Sequence, residues 1–427
     1  MSSLRKSLLS RGAKRFSTGV CSDCTPVKWS KYFEKEQDVY IKDNTFHVYS
    51  VGESGPLLLM IHGGGYSALT WSLFAEEITN KIECQVLAID LRGHGNTKTD
   101  NEEDLSLDIL AQDVADVIDV YFEEVVPPIV LIGHSLGGAV AVAAAALITS
   151  VVGLCVIDVV EGTALESLSS MQSILRGRPS SFKSIEHAIQ WSFRGGQTHN
   201  LEAARVSMPG QIRNLQTGDL AANECDKLDT SENNSVEKKP PPRLVHQRSA
   251  DAIEEENEDD IKCSEQNKNC VYENGQEDVS NGCDKSNGVS NGPVDSNAKK
   301  DDFSKLPPSG GGSATFKVPV LENNLYTWRI DLSRTEPFWN GWFKGLSQKF
   351  LDIPVPKVLL LANIHGLDTT LTVGQMQGKF QLQVLPRSGH AIHEDQPHHV
   401  ADIIAGFLVK QRLALSRNGF TPTMPAC

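Results

Sequence analysis

The chain has 427 residues, is 40% hydrophobic and carries a formal charge of −14. This length and composition indicate one α/β domain with a sizeable core and an inserted segment. An acidic chain argues against a nucleic-acid enzyme, because phosphate binding requires a basic surface. No apolar run is suited to a bilayer, and nine cysteines without regular spacing favour reduced thiols, so we expect a soluble protein with neither a nucleic-acid nor a membrane partner.

The N-terminal segment is basic. Residues 1–22 hold five Lys or Arg residues and no acid, a composition similar to that of a mitochondrial transit peptide. A disordered basic tail has the same composition, and we favour it for residues 1–26. We therefore expect a cytoplasmic protein, with the nucleus as a second location and mitochondrial import as the lesser alternative.

From residue 27 the chain alternates between patterns typical of strands and of helices. Alternating runs at 38–41 and 45–49 predict a hairpin, and helical spacing predicts helices over 105–122 and 400–408. Continuous apolar runs predict buried strands at 57–61, 84–89, 129–132, 153–160, 358–361 and 381–385. This alternation predicts a mostly parallel sheet with helices on both faces.

The stretch from Gly133 to Gly137, GHSLG, fits the GxSxG pattern between a strand and an Ala-rich helix. The glycines of that pattern leave room for a strained turn that presents a serine hydroxyl above the sheet edge. We therefore predict that Ser135 is a nucleophile. The same turn places the N–H of Leu136 at a helix N-terminus, where it can donate to an oxyanion.

A glycine-rich loop follows the first buried strand. The sequence His62-Gly63-Gly64-Gly65 is of the HGGG type, which supplies the second oxyanion donor in hydrolases built on this kind of turn. We predict that the donor is the backbone N–H of Gly64 or Gly65.

Two further segments interrupt the strand and helix pattern. Residues 162–215 are amphipathic and predict a helical cap, with ordinary packing helices as the equal alternative. Residues 216–314 are acidic and poor in aromatic side chains, so we predict a disordered insertion there. The hydrolase-like domain is then divided into 27–215 and 315–415, with a C-terminal tail at 416–427.

A hydroxyl nucleophile requires a base and an acid that orients the base. His390, just after the last predicted strand, is the candidate base, whereas His393, His398 and His399 are predicted to lie at the surface. For the acid, Asp158 and Asp368 both follow apolar strands and precede His390. The residues alone leave these two nearly equal.

Six sequence blocks carry a resemblance to a known family. They are HGGGYSALTW at 62–71, DLRGHG at 90–95, GHSLGGAVA at 133–141, IDVVEGTALESLSSMQSILRGRP at 157–179, ARVSMPGQ at 204–211 and GQMQGKFQLQVLPRSGHAIHED at 374–395. Together they resemble the protein phosphatase methylesterases, which are α/β hydrolases. The resemblance implies Ser135 as the nucleophile, Asp158 as the acid, His390 as the base and Asp368 as a structural acid.

The resemblance also implies a reaction. It is hydrolysis of the methyl ester on the C-terminal leucine of the protein phosphatase 2A catalytic subunit, without a metal or an organic cofactor. Two alternatives stay open: a phosphatase-binding inhibitory factor with secondary esterase activity, and an esterase or thioesterase for another substrate.

Overall fold

The computed structural model describes residues 23–123, 125–232, 325–363 and 367–422. Eight of its strands form one sheet in the order β1-β2-β4-β3-β5-β6-β10-β11. The bounds of these strands are β1 Lys35–Ile41, β2 Asn44–Val51, β3 Leu57–Ile61, β4 Gln85–Ile89, β5 Ile129–His134, β6 Val151–Ile157, β10 Lys357–Leu361 and β11 Gln381–Val384.

Most of this sheet is parallel. β1 pairs with β2 and β2 with β4 in antiparallel register, while every neighbouring pair from β4 to β11 is parallel. The predicted hairpin and the mostly parallel sheet are thereby confirmed. Parallel strands place their carboxyl ends at one edge, so residues 62, 135, 158 and 362, each following a strand, lie along the same edge.

Helices cover both faces of the sheet. In chain order they are α1 Ser72–Lys81, α2 Leu107–Tyr121, α3 Leu136–Ala144, α4 Glu161–Arg176, α5 Ile185–Arg194, α6 Leu201–Ser207, α7 Ala221–Glu232, α8 Glu336–Phe343, α9 Leu346–Asp352, α10 Thr369–Met376, α11 Ile392–Asp395 and α12 Pro397–Lys410. None of the helices in the described part of the chain is long and apolar enough to cross a bilayer.

Strand β3 shows why the predicted strands lack alternation. Leu57, Leu59 and Ile61 pack into the core on one face of the sheet, and Leu58 and Met60 pack into the core on the other face. A strand buried on both faces needs apolar side chains at every position. Complete burial of each such side chain stabilises the fold by about 1.5–3 kcal/mol.

The cap region combines helices with a second sheet. Strands β7 Ser181–Phe182 and β8 Ile212–Asn214 flank β9 Tyr326–Trp328 in antiparallel pairs. The prediction of helices throughout 162–215 is therefore wrong at β7 and β8. These strands have two and three residues, too few for an alternating pattern, and both form against a strand distant in sequence.

The predicted insertion starts too early. Leu220, Ala221 and Cys225, which belong to helix α7 or precede it directly, are buried, so the boundary at residue 216 is wrong. The apolar residues of this short helix are diluted by acids that continue into the next segment, and composition alone could not separate the two. Residues 233–324, most of the predicted insertion, lie outside the described residues, as does the basic segment at 1–22.

The C-terminal tail also begins later than predicted. Arg417 N–H donates to Lys81 O at 2.8 Å, and Phe420 packs against the core with its ring near Lys81, the last residue of α1. Residues 416–420 thus belong to the folded body.

Candidate active site

Ser135 occupies a strained turn between β5 and α3. Its φ of 54° and ψ of −122° are unfavourable for a residue with a side chain, at a cost of about 1–3 kcal/mol. Crowding requires glycine on either side. A Cβ on Gly133 would lie 2.1 Å from Gly137 O, and one on Gly137 would lie 2.2 Å from Ile61 O.

His390 bridges Ser135 and Asp158. Its Nε2 lies 2.9 Å from Ser135 Oγ, and its Nδ1 lies 2.8 Å from Asp158 Oδ2. If Nδ1 carries the proton and donates it to Asp158, Nε2 is left to accept the proton of the serine hydroxyl. The arrangement can therefore activate Ser135 as a nucleophile.

Asp158 is held as a carboxylate. It follows β6 with a φ of 52°, and its Oδ1 accepts a hydrogen bond from Ala362 N–H at 2.9 Å. Burial acts to raise the pKa of Asp158, but the hydrogen bonds from His390 and Ala362 outweigh it, and the pKa lies below its ordinary value. The His390 side chain is 52% exposed and that of Asp158 is 18% exposed, so the imidazole is open to a ligand.

Asp368 has a different place. Its Oδ1 accepts the N–H of Leu371 at 2.8 Å, which caps helix α10, and its Oδ2 accepts from the Ser347 hydroxyl. Its contacts thus join α9 to α10. The structure brings Asp158 to His390, and the recorded bonds of Asp368 serve the helix end.

Two backbone N–H groups close to Ser135 have no acceptor among the described residues. A Cβ on Gly63 would lie 3.2 Å from Ser135 Cβ, so the glycine loop runs directly beside the serine. Among the described residues, none accepts a hydrogen bond from the N–H of Gly64 or of Leu136. This pair is suited to hold an oxyanion.

Gly65 was the other predicted donor, and the structure assigns its N–H elsewhere. That N–H donates to His94 Nε2 at 2.9 Å, while His94 Nδ1 donates to Arg92 O at 2.8 Å. Burial lowers the pKa of His94 to about 4, so the ring stays neutral and Nε2 stays an acceptor. Of the two predicted alternatives, the structure therefore leaves Gly64 as the available donor, because His94 accepts the N–H of Gly65.

Histidines near the glycine loop were missed as positioning residues. His62 Nδ1 lies 2.8 Å from Gly63 O and its Nε2 accepts Leu91 N–H, with burial lowering its pKa to about 3. The DLRGHG block at 90–95 could have indicated this role. Its His94 lies between two glycines, as His62 lies before three, and both histidines are buried.

His134 directly precedes Ser135 in the strained turn and contacts His390. Its Nε2–H donates to the backbone O of His390 at 2.9 Å, and its ring centroid lies 4.8 Å from that of His390. Burial holds the pKa of His134 well below its ordinary value. A neutral imidazole therefore fixes the loop that carries His390.

His393 is buried, and its predicted surface position is wrong. Its Nε2 lies 2.9 Å from Thr70 Oγ1, and Thr70 in turn donates to Glu394 Oε1 at 2.5 Å. The acidic, proline-containing context suggested a solvated turn. Instead the chain forms the short helix α11 there, with His393 buried in it, while His398 and His399 are exposed as predicted.

Comparison with known proteins supports a hydrolase. A model described as the alpha/beta hydrolase family matches residues 58–256. Among solved structures, E-2-(acetamidomethylene)succinate hydrolase superposes with a TM-score of 0.53 at 15% identity, over 88% of this chain and 99% of that one. An esterase of M. tuberculosis superposes with a TM-score of 0.50 at 16% identity, over 88% of this chain and 92% of that one. At these identities the likeness concerns the fold.

Sequence relatives extend over nearly the whole chain. Protein phosphatase methylesterase 1 of Mus musculus is 44% identical over 97% of this chain and 93% of its own length. The protein of the same name from Homo sapiens is 43% identical over the same shares. A probable protein phosphatase methylesterase 1 of Caenorhabditis elegans is 35% identical over 93% of this chain and 81% of its own length.

Proposed function

The chain belongs to the protein phosphatase methylesterase family of α/β hydrolases, and from this premise we propose that it demethylates the C-terminal leucine methyl ester of the protein phosphatase 2A catalytic subunit. The observation that carries the proposal is the path from Ser135 through His390 to Asp158. It lies in a chain that is 44% identical to a protein named for this class of reaction.

In the first half of the reaction His390 Nε2 takes the proton of Ser135, and Oγ attacks the ester carbonyl carbon. The carbonyl oxygen becomes an oxyanion, which the N–H groups of Gly64 and Leu136 stabilise. Methoxide then leaves with the proton from His390 as methanol. An acyl ester on Ser135 is the result.

In the second half water replaces methanol. His390 takes a proton from the water as its oxygen attacks the acyl carbon, and the same imidazole returns the proton to Ser135 Oγ. The product is a free leucine carboxylate. Asp158 keeps Nδ1 protonated and stabilises the imidazolium that forms in both halves.

The test is incubation of the purified chain with carboxymethylated catalytic subunit, followed by mass analysis of its C-terminal peptide. We expect loss of one CH₂ unit from that peptide with the wild-type chain and none with Ser135→Ala. Stable binding without loss of the methyl group would instead favour a binding factor. Hydrolysis of small esters without action on the phosphatase would point to another ester substrate.

A further inference from the structure

Arg178 is a half-buried cation at the edge of the candidate site. It follows helix α4, and its Nη1 lies 3.7 Å from the position that a Cβ on Gly65 would occupy. Within the described part of the chain, no hydrogen bond or ion pair joins its guanidinium to another residue. Burial lowers the pKa of Arg178, and the electrostatic effect of the nearby Tyr66 acts to raise it and offsets part of this decrease.

Its position is held by the second sheet. The guanidinium carbon lies 5.2 Å from the centroid of the Trp328 ring, and Trp328 Nε1–H donates to Pro179 O at 2.7 Å. Pairing of β7 with β9 fixes the chain on either side of these contacts. The small sheet therefore presents a positive charge to the glycine loop.

Other partly or fully buried guanidinium groups of the described chain have carboxylate partners. Arg92 donates to both oxygens of Asp113 at 2.8 and 2.7 Å, and Arg329 donates to both oxygens of Glu102 at 2.9 and 2.8 Å. Burying a charge without a partner is costly. Arg178 bears that cost where a substrate would bind.

We propose that Arg178 binds the free carboxylate that hydrolysis leaves at the C-terminus of the substrate tail. The proposal rests on the proposed function, because that reaction produces a C-terminal carboxylate beside Gly64 and Leu136. The methyl ester is neutral, so the charge that complements Arg178 exists only after hydrolysis. A planar guanidinium matches the two oxygens of a carboxylate.

The consequence is a preference for product over substrate. The chain would hold a demethylated tail more tightly than an uncharged tail of the same sequence. The rate of product release would then depend on Arg178, whereas the rate of attack on the ester would not.

The experiment measures competitive inhibition of p-nitrophenyl acetate hydrolysis. Two pairs of probes are used: the C-terminal hexapeptide of the phosphatase subunit with a free carboxylate or a carboxamide, and N-acetyl-leucine with N-acetyl-leucinamide. In the wild-type chain we expect the carboxylate of each pair to inhibit at about tenfold lower concentration, as a charge-assisted hydrogen bond provides. Arg178→Gln should abolish the difference, and Arg178→Lys should retain part of it.

Arg176→Gln is the matched control. Arg176 lies two residues before Arg178, and its side chain is exposed and donates to Gln172. Arg176→Gln removes the same charge, and the variant should keep the wild-type preference for the carboxylate. Loss of the preference in Arg176→Gln as well would reduce the effect to overall charge and overturn the assignment.

Thermal unfolding separates binding from a structural role. Arg178 has no partner anion in the described chain, and its guanidinium contacts only the Trp328 ring, so Arg178→Gln should lower the unfolding midpoint by no more than about 4 °C. A larger drop would mean that Arg178 supports the fold, which overturns the proposal. Slower p-nitrophenyl acetate turnover by Arg178→Gln without inhibitor would mean that Arg178 stabilises the oxyanion, which also overturns the proposal.

Demethylation of the phosphatase is followed in parallel. Equal inhibition by carboxylate and amide in the wild-type chain overturns the inference, even if the phosphatase is demethylated. A carboxylate preference that depends on Arg178, together with an intact methyl ester on the phosphatase, rejects the proposed function and keeps a carboxylate site.

Discussion

Two clusters near the same edge of the sheet contain the same three groups, a hydroxyl, an imidazole and a carboxylate. Ser135, His390 and Asp158 form one; Thr70, His393 and Glu394 form the other. In the first, the imidazole lies between hydroxyl and acid and is half exposed. In the second, the hydroxyl lies in the middle and every member is buried.

The order of the hydrogen bonds decides what each cluster can do. The Thr70 hydroxyl gives its proton to Glu394, and burial lowers the pKa of His393 to about 3, so His393 is a neutral donor to Thr70 and not a base. The His390 ring has an acid on one nitrogen and a hydroxyl on the other. The same three functional groups therefore form a reactive site in one case and a structural network in the other.

The largest expected difference between the clusters comes from removing each hydroxyl. Ser135→Ala should lower ester turnover by about 10⁴-fold or more, while leaving phosphatase binding intact. Thr70→Val should change turnover only a few-fold and lower the free energy of unfolding by about 1–3 kcal/mol, because His393 and Glu394 lose a buried partner. Hydrolysis of a chromogenic ester and urea unfolding measure both quantities.

Equal losses of turnover in Ser135→Ala and Thr70→Val would contradict this contrast. It would mean that the buried cluster takes part in the chemistry.

The next largest difference tests which acid serves His390. Asp158→Asn keeps the shape but stabilises the wrong imidazole tautomer, so we expect a loss of about 10⁴-fold in kcat. Asp368→Asn should cost little, since asparagine caps a helix as well as aspartate does. The comparison uses one ester and folded, purified variants; greater damage from Asp368→Asn would reverse the assignment.

A smaller effect is expected where the two clusters touch. The His134 ring lies 4.8 Å from His390 and 4.5 Å from His393. His134→Leu removes the donor to His390 O and should lower kcat by about tenfold, the kinetic equivalent of one hydrogen bond. His134→Gln, which can still donate, should restore part of the rate.

His393→Leu is the control on the other side of that ring. It should lower stability and leave kcat close to wild type. A rate loss in His393→Leu that matches His134→Leu would show that the two clusters act as one unit.

The smallest effect on turnover is expected at Glu394, where stability carries the signal. Burial raises the pKa of Glu394 to about 7 from an ordinary value of 4.5, so the folded state binds the proton more tightly than the unfolded state. Stability therefore falls as the pH rises from about 4.5 to 7 and then levels off. Glu394→Gln should remove this slope, which amounts to about 3 kcal/mol over the whole range.

Urea unfolding between pH 5 and pH 8 measures that slope, and parallel curves for variant and wild type would contradict it.

Asp158 should change stability with pH in the opposite direction to Glu394. Folding lowers the pKa of Asp158 below its ordinary value of 3.8. The contribution of Asp158 to stability is therefore complete above pH 3.8 and is lost as the pH falls below that value.

Much of the fold could be predicted because its central strands are buried on both faces. Uninterrupted apolar runs such as Leu57–Ile61 have few other uses in a chain of this size. Ser135 was found for a related reason, since GxSxG records a steric requirement for glycine at fixed positions. These features depend on neighbours in sequence.

The rest depends on contacts distant in sequence. Gly64 and Gly65 could not be separated because the partner of Gly65 is His94, and His393 was misplaced because Thr70 and Trp71, in the segment that follows the glycine loop, bury it. Asp158 and Asp368 could not be separated from residues alone, because both follow strands that end at the same edge. Only the position of His390 in space distinguishes them.

The pairing of β8 with β9 has a consequence for engineering. Leu215 N–H donates to Leu325 O at 2.7 Å, and the Tyr326 hydroxyl donates to Glu224 Oε2 at 2.6 Å, so β9 is tied both to the end of β8 and to helix α7. A reporter domain inserted between α7 and β9 would therefore have both of its attachment points held by the folded body, and we expect it to leave Ser135 and His390 in register.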